Sequence, residues 1–141
     1  MTAEKKEIAL PSRIETVEEA ADEAVEFAKK FGFDENALYA IDMAMREATA
    51  NAVKHGNKFD ATKNVSITFE NLPEGFEITV RDFGAGFAVE DIPDPTNPEN
   101  LLKANGRGIL FMRNFMEEVE WENHPNGGTI VKMMKVRIEK V

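Results

Sequence analysis

Apolar residues recur along the chain with two periods, and each change of period marks a new element. Ile8 and Leu10 alternate with polar neighbours and stop at Pro11, which predicts a short strand. Thr16-Val-Glu-Glu19 has capping-box spacing, with Thr16 as N-cap and Glu19 reaching back. Behind it Val17, Ala21, Ala24, Val25 and Ala28 share one helical face, and Gly32 ends the helix. Asp34 is expected to cap a second, longer helix, with Phe33 and Leu38 at staple spacing around the cap. Leu38, Ile41, Met45, Ala48 and Ala52 form its apolar stripe, and Gly56 supplies the stop.

The period then drops to two. Val65, Ile67 and Phe69 alternate with polar residues, as do Phe76, Ile78 and Val80, and Asn71-Leu-Pro-Glu-Gly75 between them predicts a hairpin with a five-residue loop. From Asp82 to Arg107 the chain is rich in glycine and proline, too long and too broken for a simple connection. Ile109, Leu110, Met112, Arg113, Phe115 and Met116 suggest a third helix. Val119 and Trp121 alternate, Asn126-Gly127-Gly128 is a turn, and Thr129 to Ile138 reads as a long strand. Hairpin-linked strands with helices set between them predict an α+β two-layer sandwich, a mostly antiparallel sheet covered on one face by helices.

Composition narrows the class. The 141 residues fit one domain, taken as 1–141, by the prior of roughly 100–200 residues per domain. With 43% hydrophobic and 30% charged residues the chain is globular, and its net charge of −9 argues against tracking nucleic-acid phosphates. The absence of cysteine excludes disulfides and thiol chemistry. The N-terminus shows no secretory signal, and no apolar run approaches the ~20 residues of a membrane span, so a soluble cytoplasmic protein is expected.

Four places could carry chemistry. Glu47, Asn51 and His55 are spaced i, i+4, i+8, with Lys54 beside them. At α-helical pitch these fall within an arc of about 100°. Asn51 can offer a neutral oxygen to Mg²⁺, Lys54 can neutralise phosphate, and Glu47 can accept a proton from an attacking hydroxyl. A solvated polar stripe fits the same spacing. Arg81-Asp82-Phe-Gly84-Ala-Gly86-Phe87 follows a strand. Its glycines let backbone approach a flat ligand, and Asp82 can accept from an exocyclic amine such as that of adenine. A plain glycine turn is the competing reading. Asn105-Gly106-Arg107-Gly108-Ile109-Leu110 opens a helix and can form an anion site, or else a flexible joint. Gly127-Gly128-Thr129, taken alone, is a hairpin turn. His55 and His124 are the only histidines, and a histidine metal site is discounted.

Together, EATANAVKHGN, RDFGAGF, NGRGILFMRNFMEEVEW and NGGTIVKMMK are more specific than any one of them. In this order and spacing they resemble the N, G1, G2 and terminal boxes of the GHKL (Bergerat-fold) ATP-binding superfamily. Within it the chain resembles the small anti-sigma-factor serine/threonine-protein kinases of partner-switching modules, over roughly Ile8 to Ile138.

The resemblance implies these roles. Glu47 is the general base, and Asn51 the Mg²⁺ ligand. Asp82 accepts the adenine amine, Gly84 and Gly86 shape its pocket, and Thr129 sits near Asp82. Gly106, Arg107 and Gly108, with the amides of Ile109 and Leu110, hold the phosphates of ATP, joined by Lys54. Residues 88–105 form an ATP lid. The implied activity is transfer of the γ-phosphoryl of MgATP to Ser or Thr of a small STAS-type antagonist, with sequestration of a sigma factor by a homodimer. Some members carry a partner-recognition arginine in the first helix. Thr16 to Ala28 has none, so the partner surface is not carried over. Two other readings are a non-catalytic ATP- or ADP-sensing module and a detached histidine-kinase catalytic domain.

Overall fold

The computed structural model describes residues 4–84 and 111–137. Its strands are β1 (Glu4–Pro11), β2 (Asn64–Asn71), β3 (Gly75–Arg81), β4 (Glu118–Asn123) and β5 (Thr129–Val136). The long helices are α1 (Glu15–Lys29) and α2 (Glu35–Asn51), and residues 111–115 form a helical segment, α3. The strands make one sheet in the order β1-β2-β3-β5-β4, and every neighbouring pair is antiparallel. This is the expected α+β arrangement.

The period-two residues bury one face of the sheet. Val65, Ile67 and Phe69 of β2 and Phe76, Ile78 and Val80 of β3 are at most 1% exposed, and Met133 and Val119 join them from β5 and β4. The helices supply the other half of the core. Ala20, Ala21, Ala24, Phe27 and Ala28 come from α1, and Ile41, Ala44, Met45 and Ala48 from α2. The small alanines let the two helices lie close, and Phe27 fills the space left, with ring centroids 5.7 Å from Phe69 and 5.4 Å from Phe76.

Local details depart from the sequence reading. Asp34 does cap α2, its Oδ1 accepting from the Ala37 amide at 2.9 Å. Thr16 does not cap α1: the helix already begins at Glu15, and the Thr16 hydroxyl donates to the Pro11 carbonyl instead. The β2–β3 hairpin is tighter than expected, because Leu72 and Gly75 exchange both backbone hydrogen bonds and the strands close up to Asn71 and Gly75. The second helix continues beyond Asn51 into a π-helical turn, Ala52–Gly56, closed by the Asn57 amide donating to the Ala52 carbonyl at 2.8 Å. Among the described residues no helix is long and apolar enough to cross a membrane.

Candidate active site

The alternation that drives Phe76, Ile78 and Val80 into the core places the next in-phase residue, Asp82, on the same buried side. Asp82 is 5% exposed. A carboxylate there needs donors, and two backbone amides supply them. Oδ1 accepts from Gly84 at 3.1 Å and from Thr129 at 3.1 Å, while the Asp82 amide returns a bond to the Thr129 carbonyl at 3.0 Å. Burial pushes the carboxyl above its usual range, against the pull of these two amides and of the Arg81 and Lys63 charges. Both described bonds fall on Oδ1, which leaves Oδ2 with capacity for a further donor.

The π-helical turn meets this bend at van der Waals contact. A Cβ on Gly56 would lie 2.2 Å from Asp82 Cγ, and one on Gly84 would lie 1.9 Å from the Gly56 carbonyl oxygen. The two glycines are therefore required by close backbone approach, and Gly56 acts as a spacer-free contact as well as the end of the helix. Positive φ occurs just after it, at Lys58 (51°) and Phe59 (59°). Helices that widen to i→i+5 bonding often do so at functional sites.

The same helix carries the carboxylate and carboxamide singled out from the sequence. Glu47 and Asn51 stand one turn apart on α2, half-buried at the edge of the stripe formed by Met45, Ala48 and Ala52. Among the described residues neither makes an ion pair or a side-chain hydrogen bond, so both are free to meet a ligand. Lys54 and His55 lie beyond the start of the wide turn, exposed and shifted from the α-helical phase computed for them. Thr129, expected near Asp82, is bonded to it directly.

Arg81 closes the outer side of the bend. Its guanidinium lies 4.3 Å from the centre of the Phe83 ring and its Nη2 reaches the Gly127 carbonyl at 3.5 Å. Gly86, Gly106, Arg107, Gly108, Ile109 and Leu110, and the expected lid at 88–105, lie outside the described residues.

One residue of this region carried no role in the sequence reading. Asn57, 2% exposed, accepts from the Phe83 amide and donates to Ser12 and to the Asn64 carbonyl. Its place directly after Gly56 in EATANAVKHGN was its only sequence signal.

Among the described residues no three His, Asp or Glu side chains gather as a metal cage. Asn51 offers a single accessible oxygen, which fits a Mg²⁺ that keeps waters and takes its other ligands from phosphate.

The chain is similar to known proteins in sequence and in fold. A family described as histidine kinase-like ATPase domain matches residues 10–135. An anti-sigma F factor of Geobacillus stearothermophilus is 37% identical over 107 residues, covering 73% of this chain and 72% of that protein. The serine-protein kinase RsbW of Bacillus licheniformis is 32% identical over 114 residues, covering 77% of this chain and 70% of that protein. The crystal structure of the RsbU and RsbW domains of a Mycobacterium tuberculosis protein superposes with a TM-score of 0.68 at 18% identity. It covers 94% of this chain, which spans 32% of that longer chain.

Proposed function

The chain belongs to the histidine kinase-like ATPase domain family, in the group of anti-sigma F factors and RsbW serine-protein kinases, and we propose that it works as they are named. It is an ATP-dependent serine/threonine-protein kinase and an anti-sigma factor. The observation that carries this reading is the junction of Gly56, Asp82 and Gly84 at the end of the helix that bears Glu47 and Asn51.

Each residue then has a task. Asp82, held by the Gly84 and Thr129 amides, accepts the exocyclic amine of adenine through its remaining oxygen capacity. Gly84 and Gly86 keep side chains out of the plane of the base. Asn51 contributes its carboxamide oxygen to Mg²⁺. Glu47 takes the proton of the attacking Ser or Thr hydroxyl. By the sequence resemblance, Lys54, Arg107 and the amides of Gly106, Gly108, Ile109 and Leu110 hold the phosphates. When bound, MgATP supplies the transferable phosphoryl group, and catalysis is chiefly positioning and charge neutralisation.

The acceptor is a small STAS-type antagonist, and the protein held by the kinase, acting as a homodimer, is a sigma factor. The names of the relatives support the sigma factor; the STAS-type acceptor and the dimer rest on the sequence resemblance. The activity belongs in the cytoplasm, where ATP and sigma factors are.

The test uses γ-labelled ATP and a STAS-type antagonist. The wild-type chain transfers acid-stable label, and Glu47→Gln loses transfer while keeping ATP affinity. Transfer at the wild-type rate by Glu47→Gln would remove Glu47 from the role of base. Tight ATP binding with no transfer by the wild type would favour a sensing module, and acid-labile label a histidine kinase.

A further inference from the structure

Asn57 takes no part in the chemistry above, yet it is one of the most buried polar side chains described. Its Oδ1 accepts from the Phe83 amide at 2.7 Å, and its Nδ2 donates to Ser12 Oγ at 2.7 Å and to the Asn64 carbonyl at 3.1 Å. Both amide hydrogens are therefore used. Ser12, 1% exposed, gives its own proton to the Lys63 carbonyl, so its oxygen is left to accept from Asn57. The carboxamide has one workable orientation. Turned over, its oxygen would face the Asn64 carbonyl and its NH₂ would face the Phe83 N–H, two repulsive pairs.

The three partners come from the β1–α1 junction, the start of β2 and the bend after β3. One side chain thus pins a bend to two elements that are otherwise distant from it in sequence. The pinned peptide is the link between Asp82 and Phe83. The preceding peptide, 81–82, is fixed in turn by the Asp82 amide donating to the Thr129 carbonyl.

We propose that Asn57 is a positioning residue for base recognition. It fixes the rotation of the 82–83 peptide and so sets the direction in which the Asp82 carboxylate meets a purine. A fixed acceptor at this point favours adenine, which presents an amine at C6, and repels guanine, which presents a carbonyl there. Without the Phe83 bond the 82–83 peptide can turn, and the Gly84 amide that helps hold Oδ1 turns with it, so the carboxylate loses its fixed aim toward either base. This role rests on the nucleotide reading above.

The experiment titrates ATP and GTP, separately, into the wild-type chain, Asn57→Ala, Ser12→Ala and Asp82→Asn, each checked for a cooperative melt. For Asn57→Ala, ATP affinity falls roughly tenfold while GTP affinity stays level, so the preference for ATP shrinks by the same factor. Ser12→Ala, which leaves Asn57 one acceptor fewer, moves the ratio in the same direction by roughly threefold. A purely structural role would lower both affinities together by reducing the folded fraction, and would leave their ratio unchanged. If Asn57→Ala does not fold, the milder Ser12→Ala decides. An unchanged ratio in a folded variant, with Asp82→Asn impaired for ATP, overturns the positioning role alone. An unchanged ratio in Asp82→Asn overturns the nucleotide reading and this proposal together.

Discussion

The Cα of Gly56 and the carboxyl of Asp82 are in contact so close that a β-carbon on Gly56 would lie 2.2 Å from Asp82 Cγ and 2.2 Å from Oδ2. The π-helical turn that follows α2 therefore packs directly against the bend that follows β3. Gly56→Ala has no side-chain end that can yield, since the neighbour is a carboxylate already tied to two amides. It is expected to lower the unfolding free energy by about 1–3 kcal/mol, the usual cost of overpacking. Urea denaturation of the two proteins checks this, and ATP affinity of the folded variant falls with it.

Asp82 also sets a pH dependence. Its carboxyl is raised by burial, so the folded state binds the proton more tightly than the unfolded one. The stabilisation from this group is complete below the unfolded value of 3.8 and is lost as pH rises through the higher folded value. Asp82→Asn removes that titration. Subtracting the variant's unfolding free energy from the wild type's should give a difference that falls as pH climbs from 3.8 and then levels off. A flat difference across that window would show that burial does not raise the group.

Asn51 separates metal from base. Asn51→Ala removes one neutral oxygen and touches nothing at Asp82. ATP binding measured in EDTA should be unchanged, while the gain in affinity that Mg²⁺ brings to the wild type should shrink by about tenfold, within the range seen for polar partners around a charge. Equal enhancement by Mg²⁺ in both proteins would remove Asn51 as the ligand.

Much of this was legible in the chain because burial imposes a period. The stripes Ile41, Met45, Ala48 and Val65, Ile67, Phe69 could be read directly, and Asp82 could be placed at the end of a strand. What escaped depends on partners far away in sequence. Thr16 matched a capping pattern, but its hydroxyl found the Pro11 carbonyl once the chain folded back. Phe27 did not join the predicted stripe, although it packs against Phe31, Phe69 and Phe76. Gly56 read as a helix stop, and its contact with Asp82 exists only in three dimensions. The π-helical turn has no periodic signature, and it displaced Lys54 and His55 from an arc computed at constant pitch. Asn57 bonds across 45 and 26 residues to Ser12 and Phe83, contacts that no local pattern encodes.

The central claim is that one nucleotide is held where these segments meet, with its base on Asp82. Isothermal titration of ATP into the wild-type chain and Asp82→Asn tests it most directly. The account predicts binding by the wild type and a loss on the order of 1–3 kcal/mol in the variant, the cost of mispairing a buried hydrogen-bonding group. Equal affinity in two folded proteins would contradict it.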